Sequence, residues 1–358
     1  MAQNQTARKQ GTARVVKRIL VALCALIAAL TIVVFALWGG ELSTLKTLSR
    51  VEDDVNLFTM EYKADYALDE FLKTGASTDA ELVDFIVRQM LKGIPLNFDL
   101  PNLGCSTFAA QMADGTPIFG RNFDMYDSPA LFVTTRPKDG YASISMVNLA
   151  YIGYNSESLP TSLTKSIMTL AAPYAPLDGV NEKGLAVGVL QIKTTPTNQQ
   201  TDKVDITTTS AIRLLLDRAA TVEEAVELLS QYDMHASAGS CYHFHIADAK
   251  GGSVIVEYID DEMSVVQGDA ATNFLLTPGE YDFGSGEDRY AVLRETLDAN
   301  GGVFESEEQA MELLKAVSQP VSEEKKSSTQ WSCVYNQQDA GVEIAMNMDY
   351  EKVYTFGL

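Results

Sequence analysis

The stretch that most restricts this 358-residue chain is Gly104-Cys105-Ser106-Thr107-Phe108, followed 16 and 19 residues after the cysteine by Arg121 and Asp124 in Gly120-Arg121-Asn122-Phe123-Asp124. Residues 106–112 read as a strand, Asp114-Gly115 is a strong hairpin turn, and residues 116–123 return as a second strand. Such a hairpin carries Arg121 and Asp124 back beside Cys105. A cation next to a thiol favours the thiolate, its reactive form. A nearby carboxylate can orient the cation or an N-terminal ammonium.

Upstream, residues 19–38 form an uncharged run of 20, long enough to span a bilayer as a helix. Arg8, Lys9, Arg14, Lys17 and Arg18 precede it with no acid, so the positive-inside rule puts residues 1–18 in the cytoplasm. Trp38 suits the far interface. The alternative is a cleaved signal peptide, for which Leu37-Trp38-Gly39-Gly40 is a poor cleavage site. The formal net charge is −21, and with the five basic residues set apart the remainder carries about −26. That acidity argues against nucleic acid or an anionic lipid surface as an electrostatic partner.

Of the four cysteines, Cys24 lies in the apolar run; Cys105, Cys241 and Cys333 are scattered through the rest. They make no disulfide framework, and a Cys241–Cys333 pair or two unlinked buried thiols are equally compatible with the sequence. Residues 49–72 read as a helix from the spacing of Val51, Val55, Phe58, Tyr62, Tyr66 and Phe71, and 78–91 as a second, with Thr78 and Glu81 as its capping box. Residues 92–103, with Pro95 and Pro101, read as an extended approach to Cys105. After Cys105, strands are expected at 131–135, 142–149, 185–191, 242–248, 253–258, 263–267, 270–276, 330–336, 342–347 and 352–356. Helices are expected at 206–220, from Thr221, at 288–298 and at 306–317. Residues 155–176, polar and rich in Ser, Thr and Pro, read as a variable loop over the site. Strand groups alternating with helix pairs are what two stacked antiparallel sheets between helix layers would produce.

Gly-Cys-Ser-Thr-Phe with Gly-Arg-Asn-Phe-Asp, then Asp178-Gly179-Val180-Asn181-Glu182-Lys183-Gly184-Leu185, then Thr272-Asn273, resemble in order the motifs of the cysteine N-terminal-nucleophile hydrolases: the choloylglycine hydrolase, penicillin V acylase and acid ceramidase (N-acylethanolamine acid amidase) group. The resemblance covers the chain from about Leu103 onward. It implies an α+β fold, a four-layer αββα sandwich over residues 105–358. Ahead of it stand a basic tail (1–18), a transmembrane signal-anchor (19–38) and a helical prosegment or stalk (39–104).

The resemblance also implies roles. The chain is cut before Cys105, whose thiol becomes the nucleophile and whose α-amine, with an ordinary pKa of about 7.7–8.0, becomes the base. Arg121 favours the thiolate and Asp124 orients the amine. Asn273 and a backbone N–H near Gln191, where bile salt hydrolases carry Asn, hold the oxyanion. Arg289 opens a helix at a place where the family has an active-site arginine. Asn181 shapes the Asn-Glu-Lys-Gly turn and, with Gln191, is expected to contact the substrate. His243 and His245 share a strand face with no third ligand at a matching spacing, so neither metal nor cofactor is expected. The expected protein is a single-pass membrane amidase with its catalytic domain extracytoplasmic, acting on linear non-peptide C–N bonds of small N-acyl substrates. An acyltransferase of the same fold and a catalytically silent ligand-binding ectodomain are the alternatives, and a homo-oligomer is left open.

Overall fold

The turn at Asp114-Gly115 forms as its residues dictate: Gly115 N–H donates to Met112 O, and Asp114 Oδ1 accepts from Thr116 N–H at 2.9 Å. The flanking strands Gly104–Met112 and Pro117–Met125 pair antiparallel, Gly104 opposite Asp124 and Cys105 opposite Phe123. The computed structural model describes residues 2–98, 104–321 and 327–358, and leaves aside the side chains of 2–16, 30–31 and 33–36.

Two sheets carry the fold. The hairpin sits in a seven-stranded sheet, between Ala270–Ala271 on one side and Ser328–Asn336, Gly341–Met346 and Val353–Gly357 on the other, with Val303–Phe304 alongside Gly104–Met112. A nine-stranded sheet runs Ser49–Arg50, Leu57–Tyr62, Ala130–Thr135, Ser143–Asn148, Pro176–Asn181, Ala186–Ile192, Cys241–Ala247, Ser253–Ile259, Glu262–Gln267. The two faces meet where Gly188 lies over Thr107 and Phe119; a Cβ there would come within 3.2–3.3 Å of both. Helix Thr208–Arg218 covers Pro176–Asn181 and Ala186–Ile192 on one outer face, and helices Glu287–Asn300 and Glu307–Ala316 cover the other. The order is therefore helix, sheet, sheet, helix. Phe108, Ile118, Leu293, Leu297 and Leu314 form the apolar layer beneath the second helix pair. Burial from both sides explains why Ala186–Ile192 and Cys241–Ala247 are buried at every residue.

Several expectations need correction. Residues 49–72 are not one helix: Leu57–Tyr62 is a strand paired in parallel with Ala130–Thr135, and only Leu68–Thr74 is helical. The apolar positions fit both periods, and pairing to a ready sheet edge decided between them. Ser49–Arg50 and Leu57–Tyr62 thus join the main sheet, while helices Leu68–Thr74 and Asp79–Gln89 follow, so the segment is not an all-helical stalk. Residues 204–207 pair as a strand before the helix begins at Thr208, and of 270–276 only Ala270–Ala271 pairs as a strand. Residues 155–166 are a largely exposed loop, but Ile167–Tyr174 is a 3-10 segment, buried from Thr169 onward and tied down by Tyr174 OH donating to Tyr66 O at 2.9 Å, so that part is core and not loop. The Thr78 cap forms, but Glu81 reaches back to Ser77 N–H. Of the extended approach, 99–103 lie outside the described residues.

Residues Ala2–Leu45 form one helix. Among the described residues no helix is long and apolar enough to cross a membrane. Part of the 19–38 run falls outside the described side chains.

Candidate active site

Cys105 is the second residue of strand Gly104–Met112 and is fully buried. Its backbone N–H donates to Asn273 Oδ1 at 2.8 Å. Arg289 reaches the same spot from the first turn of helix Glu287–Asn300. Its Nη1 donates to Cys105 O at 2.9 Å and to Asp124 Oδ2 at 3.0 Å, and its Nη2 donates to Asn273 Oδ1 at 2.9 Å. The hairpin register puts Asp124 opposite Gly104, where Thr329 Oγ1 donates to Asp124 Oδ1 at 2.6 Å and Gln319 Nε2 to Oδ2 at 2.7 Å. Charge-assisted bonds of this kind hold the carboxylate in one orientation.

Arg121 lies on the inner face of the hairpin, wholly buried between the sheets. Its Nε donates to Asp178 Oδ2 at 3.3 Å, while Nη1 and Nη2 make no hydrogen bond of ordinary geometry. Burial alone would lower the guanidinium's pKa, but the facing Cys105, Asp178 and Asp124 raise it on balance. Asp178 is raised, by burial first, against the lowering effect of Arg121; Tyr335 OH donates to its other oxygen.

The cation beside the thiol does not win here. Burial pushes the Cys105 thiol up, and Arg121 and Arg289 offset this only in part, with Asp124 adding to the rise. Desolvation outweighs charge because the thiol is sealed behind Gly104, and Gly104, not Cys105, lines the adjoining cavity of about 760 Å³. Tyr126, Gln191, Lys193, Asn273, Arg289 and Gln319 share that cavity wall.

Cys105, Arg121, Asp124, Asn273 and Arg289 therefore converge, and Gln191 joins them: its backbone O accepts from Asn273 Nδ2 at 2.9 Å, while its side chain donates to Ser240 Oγ at 2.7 Å. Asn181 does not. It is buried away from the cavity, its Oδ1 accepting from Lys183 and Leu185 N–H and its Nδ2 donating to Leu216 O and Ala219 O. It fixes the turn at Gly184, whose φ of +80° suits glycine, and ties that turn to a helix end. It is not a substrate contact.

Asp178, Gln319 and Thr329 were missed. Asp178 stood in the quoted Asp-Gly-x-Asn-Glu-Lys-Gly motif, but an acid inside an apolar strand was the signal that it serves a buried cation. Nothing in the sequence marks Gln319 or Thr329. Cys241 and Cys333 are buried free thiols. Among the described residues no group of three His, Cys, Asp or Glu could hold a metal ion.

A family model described as linear amide C–N hydrolases, choloylglycine hydrolase family, matches residues 105–279. Penicillin V acylase of Pectobacterium atrosepticum is 34% identical over 102 residues, 25% of this chain and 26% of that protein, so the match spans about a quarter of that relative. Among solved structures, a conjugated bile acid hydrolase from Clostridium perfringens (C2A mutant) superposes with a TM-score of 0.53 at 16% identity, covering 71% of this chain and 92% of that one. A penicillin V acylase from Agrobacterium tumefaciens gives 0.50 at 18% identity, covering 71% and 86%. At these identities the superpositions establish a shared mixed α/β fold.

Proposed function

This chain belongs to the linear amide C–N hydrolases of the choloylglycine hydrolase family, and from that premise we propose that it hydrolyses small N-acyl amides with Cys105, exposed as a chain terminus, as nucleophile. The observation that carries this reading is the convergence on Cys105: its N–H and its carbonyl are both held, by Asn273 and Arg289, beside an open cleft whose wall is Gly104.

Maturation comes first. The Cys105 thiol attacks the Gly104 carbonyl, the acyl group moves from nitrogen to sulfur, and water hydrolyses the thioester. The products are a Gly104 carboxylate and a free Cys105 amine and thiol. Loss of the covering residue opens the thiol to the cleft and lifts the desolvation that raises it. In turnover the α-amine takes the thiol proton and the sulfur attacks the substrate amide. The second N–H of Asn273 Nδ2 and a backbone N–H near Gln191 hold the oxyanion. The ammonium protonates the leaving amine, and water releases the acyl group. Arg121 steadies the thiolate from below; Asp124 orients the amine, and Arg289 holds Asp124 and the Cys105 carbonyl in place.

The acyl substrate is of the kind named for the relatives, a conjugated bile acid or penicillin V, or another linear N-acyl amide. We place the enzyme at a membrane, anchored by residues 19–38 with the catalytic domain outside the cytoplasm. The uncharged run, its basic flank, and the exposed Ile19, Leu20, Leu23, Leu26 and Ile27 of helix Ala2–Leu45 support that placement.

Intact mass and N-terminal sequencing of the purified chain test the reading. A new terminus at Cys105 is expected, and Cys105→Ala should abolish both cutting and turnover. A processed, active Cys105→Ala protein would sink it.

A further inference from the structure

Behind Asn273, away from the cleft, lies a buried pair that the proposed mechanism does not use. His243, on strand Cys241–Ala247, is 0% exposed, and Glu257, on the neighbouring strand Ser253–Ile259, is equally buried. Both ring nitrogens of His243 are engaged. Nε2 lies 2.7 Å from Thr272 O, and Nδ1 lies 3.1 Å from Glu257 Oε1. A backbone carbonyl only accepts, so Nε2 must carry a proton.

The second proton lies between Nδ1 and Glu257. Glu257 Oε1 also accepts from Leu276 N–H at 2.7 Å, and Oε2 accepts from Thr277 N–H at 2.8 Å. A carboxyl group receiving two backbone N–H bonds is stabilised as the carboxylate. Although burial alone would raise Glu257, the donors from His243, Thr277 and Leu276 bring it below its ordinary value. The proton then belongs to Nδ1. The contrast is His245, two residues along the same strand: its nitrogens face the Thr107 and Ser253 hydroxyls, which donate or accept as required, so that ring needs only one proton.

We propose that His243 is a buried imidazolium paired with Glu257, and that the pair is a latch positioning the 272–277 segment that carries Asn273. The imidazolium grips the carbonyl immediately before Asn273, and the carboxylate grips the two N–H groups three and four residues beyond it. One charge pair thus fixes both ends of the segment whose second residue, Asn273, presents its amide to Cys105. Neither residue touches the cleft, so they act through Asn273. Only the catalytic consequence rests on the amidase reading; the charge state and the latch do not.

With three histidines in the chain, ¹⁵N-histidine labelling of the full-length protein gives three pairs of ring-nitrogen signals, assigned with His243→Gln and His245→Gln. Two ring N–H protons on His243 at neutral pH, and one on His245, are expected. A bare nitrogen on His243 overturns the charge assignment. Hydrogen exchange then reads the latch: Glu257→Gln, isosteric but uncharged, should speed exchange at Leu276 and Thr277 about 10- to 100-fold while distant strands keep their protection. Unchanged exchange there overturns it, and His243→Gln provides the second variant should Glu257→Gln fail to fold. In turnover assays both variants should lower kcat about 10-fold or more with KM within about twofold, as expected when only transition-state contacts loosen. A wild-type chain with no turnover at all, but with an imidazolium and a protected segment, would count against the amidase reading and leave the latch standing.

Discussion

Arg289 Nη1 lies 3.0 Å from Asp124 Oδ2, and the same nitrogen lies 2.9 Å from the Cys105 carbonyl oxygen. Residues 184 apart in sequence thus bracket the start of one strand. The pair is almost wholly buried, so the geometry is held by desolvated charge rather than by a screened surface contact.

Arg289→Lys keeps the charge but loses the fork that reaches Asp124, Cys105 O and Asn273 together. Cutting at Gly104–Cys105 and turnover should both slow by about 100-fold, the scale of a misplaced reacting group. Time-resolved intact mass reads the first and an amide assay the second. Wild-type rates in this variant would remove Arg289 from the site.

Asp178→Asn strips the buried Arg121 of its ion-pair partner, both side chains being 0% exposed. Removing one member of a buried pair costs about 3–5 kcal/mol. Urea unfolding should show a loss of that size, whereas Asn181→Ala should cost stability without changing KM, its bonds all being to backbone.

The pH profile of stability has a steep acid limb to be found. Burial, with His243 nearby, pushes His245 down to about 3. The unfolded chain takes up that proton near the ordinary value of about 6.5 while the folded chain refuses it, so stability falls as pH drops from about 6.5 toward 3. At the alkaline end the buried Cys105, Cys241 and Cys333 thiols are all raised. Their stabilisation is whole below about pH 8.5 and drains as pH climbs through the raised values. Melting temperature across pH should show both limbs, and His245→Gln should flatten the acid one.

The N-terminal segment should stay on after cutting. Leu57–Tyr62 is a paired strand of the main sheet, Tyr62 OH donates to Leu170 O at 2.9 Å, and Tyr66 OH donates to the buried Asp217 at 2.6 Å. Size-exclusion chromatography of the processed protein should show both pieces in one peak. Tyr66→Phe should weaken the association by about 1–3 kcal/mol, because it strips a donor from a buried carboxylate.

Much of this is legible in the sequence. The Asp114-Gly115 hairpin placed Arg121 and Asp124 near Cys105 because a tight turn, here of three residues between Met112 and Thr116, leaves little freedom of register. The helix caps at Thr78, Thr221 and Ser306 were readable for the same reason, each being a contact across three residues. Local chemistry of that kind is written in adjacent residues. Residues 49–72 could not be resolved so, since helical and strand spacing both fit them until a sheet edge at Ala130–Thr135 was available to pair. Nor could the thiol's protonation: Arg121 argued for a thiolate, and only the depth of burial behind Gly104 reversed it. The partners of Asp124, which are Arg289, Gln319 and Thr329, come from three distant stretches joined by the stacking of sheets and helices. Short-range order is encoded where the contacting atoms are neighbours in the chain, whereas burial, and with it charge state, exists only once the layers have closed.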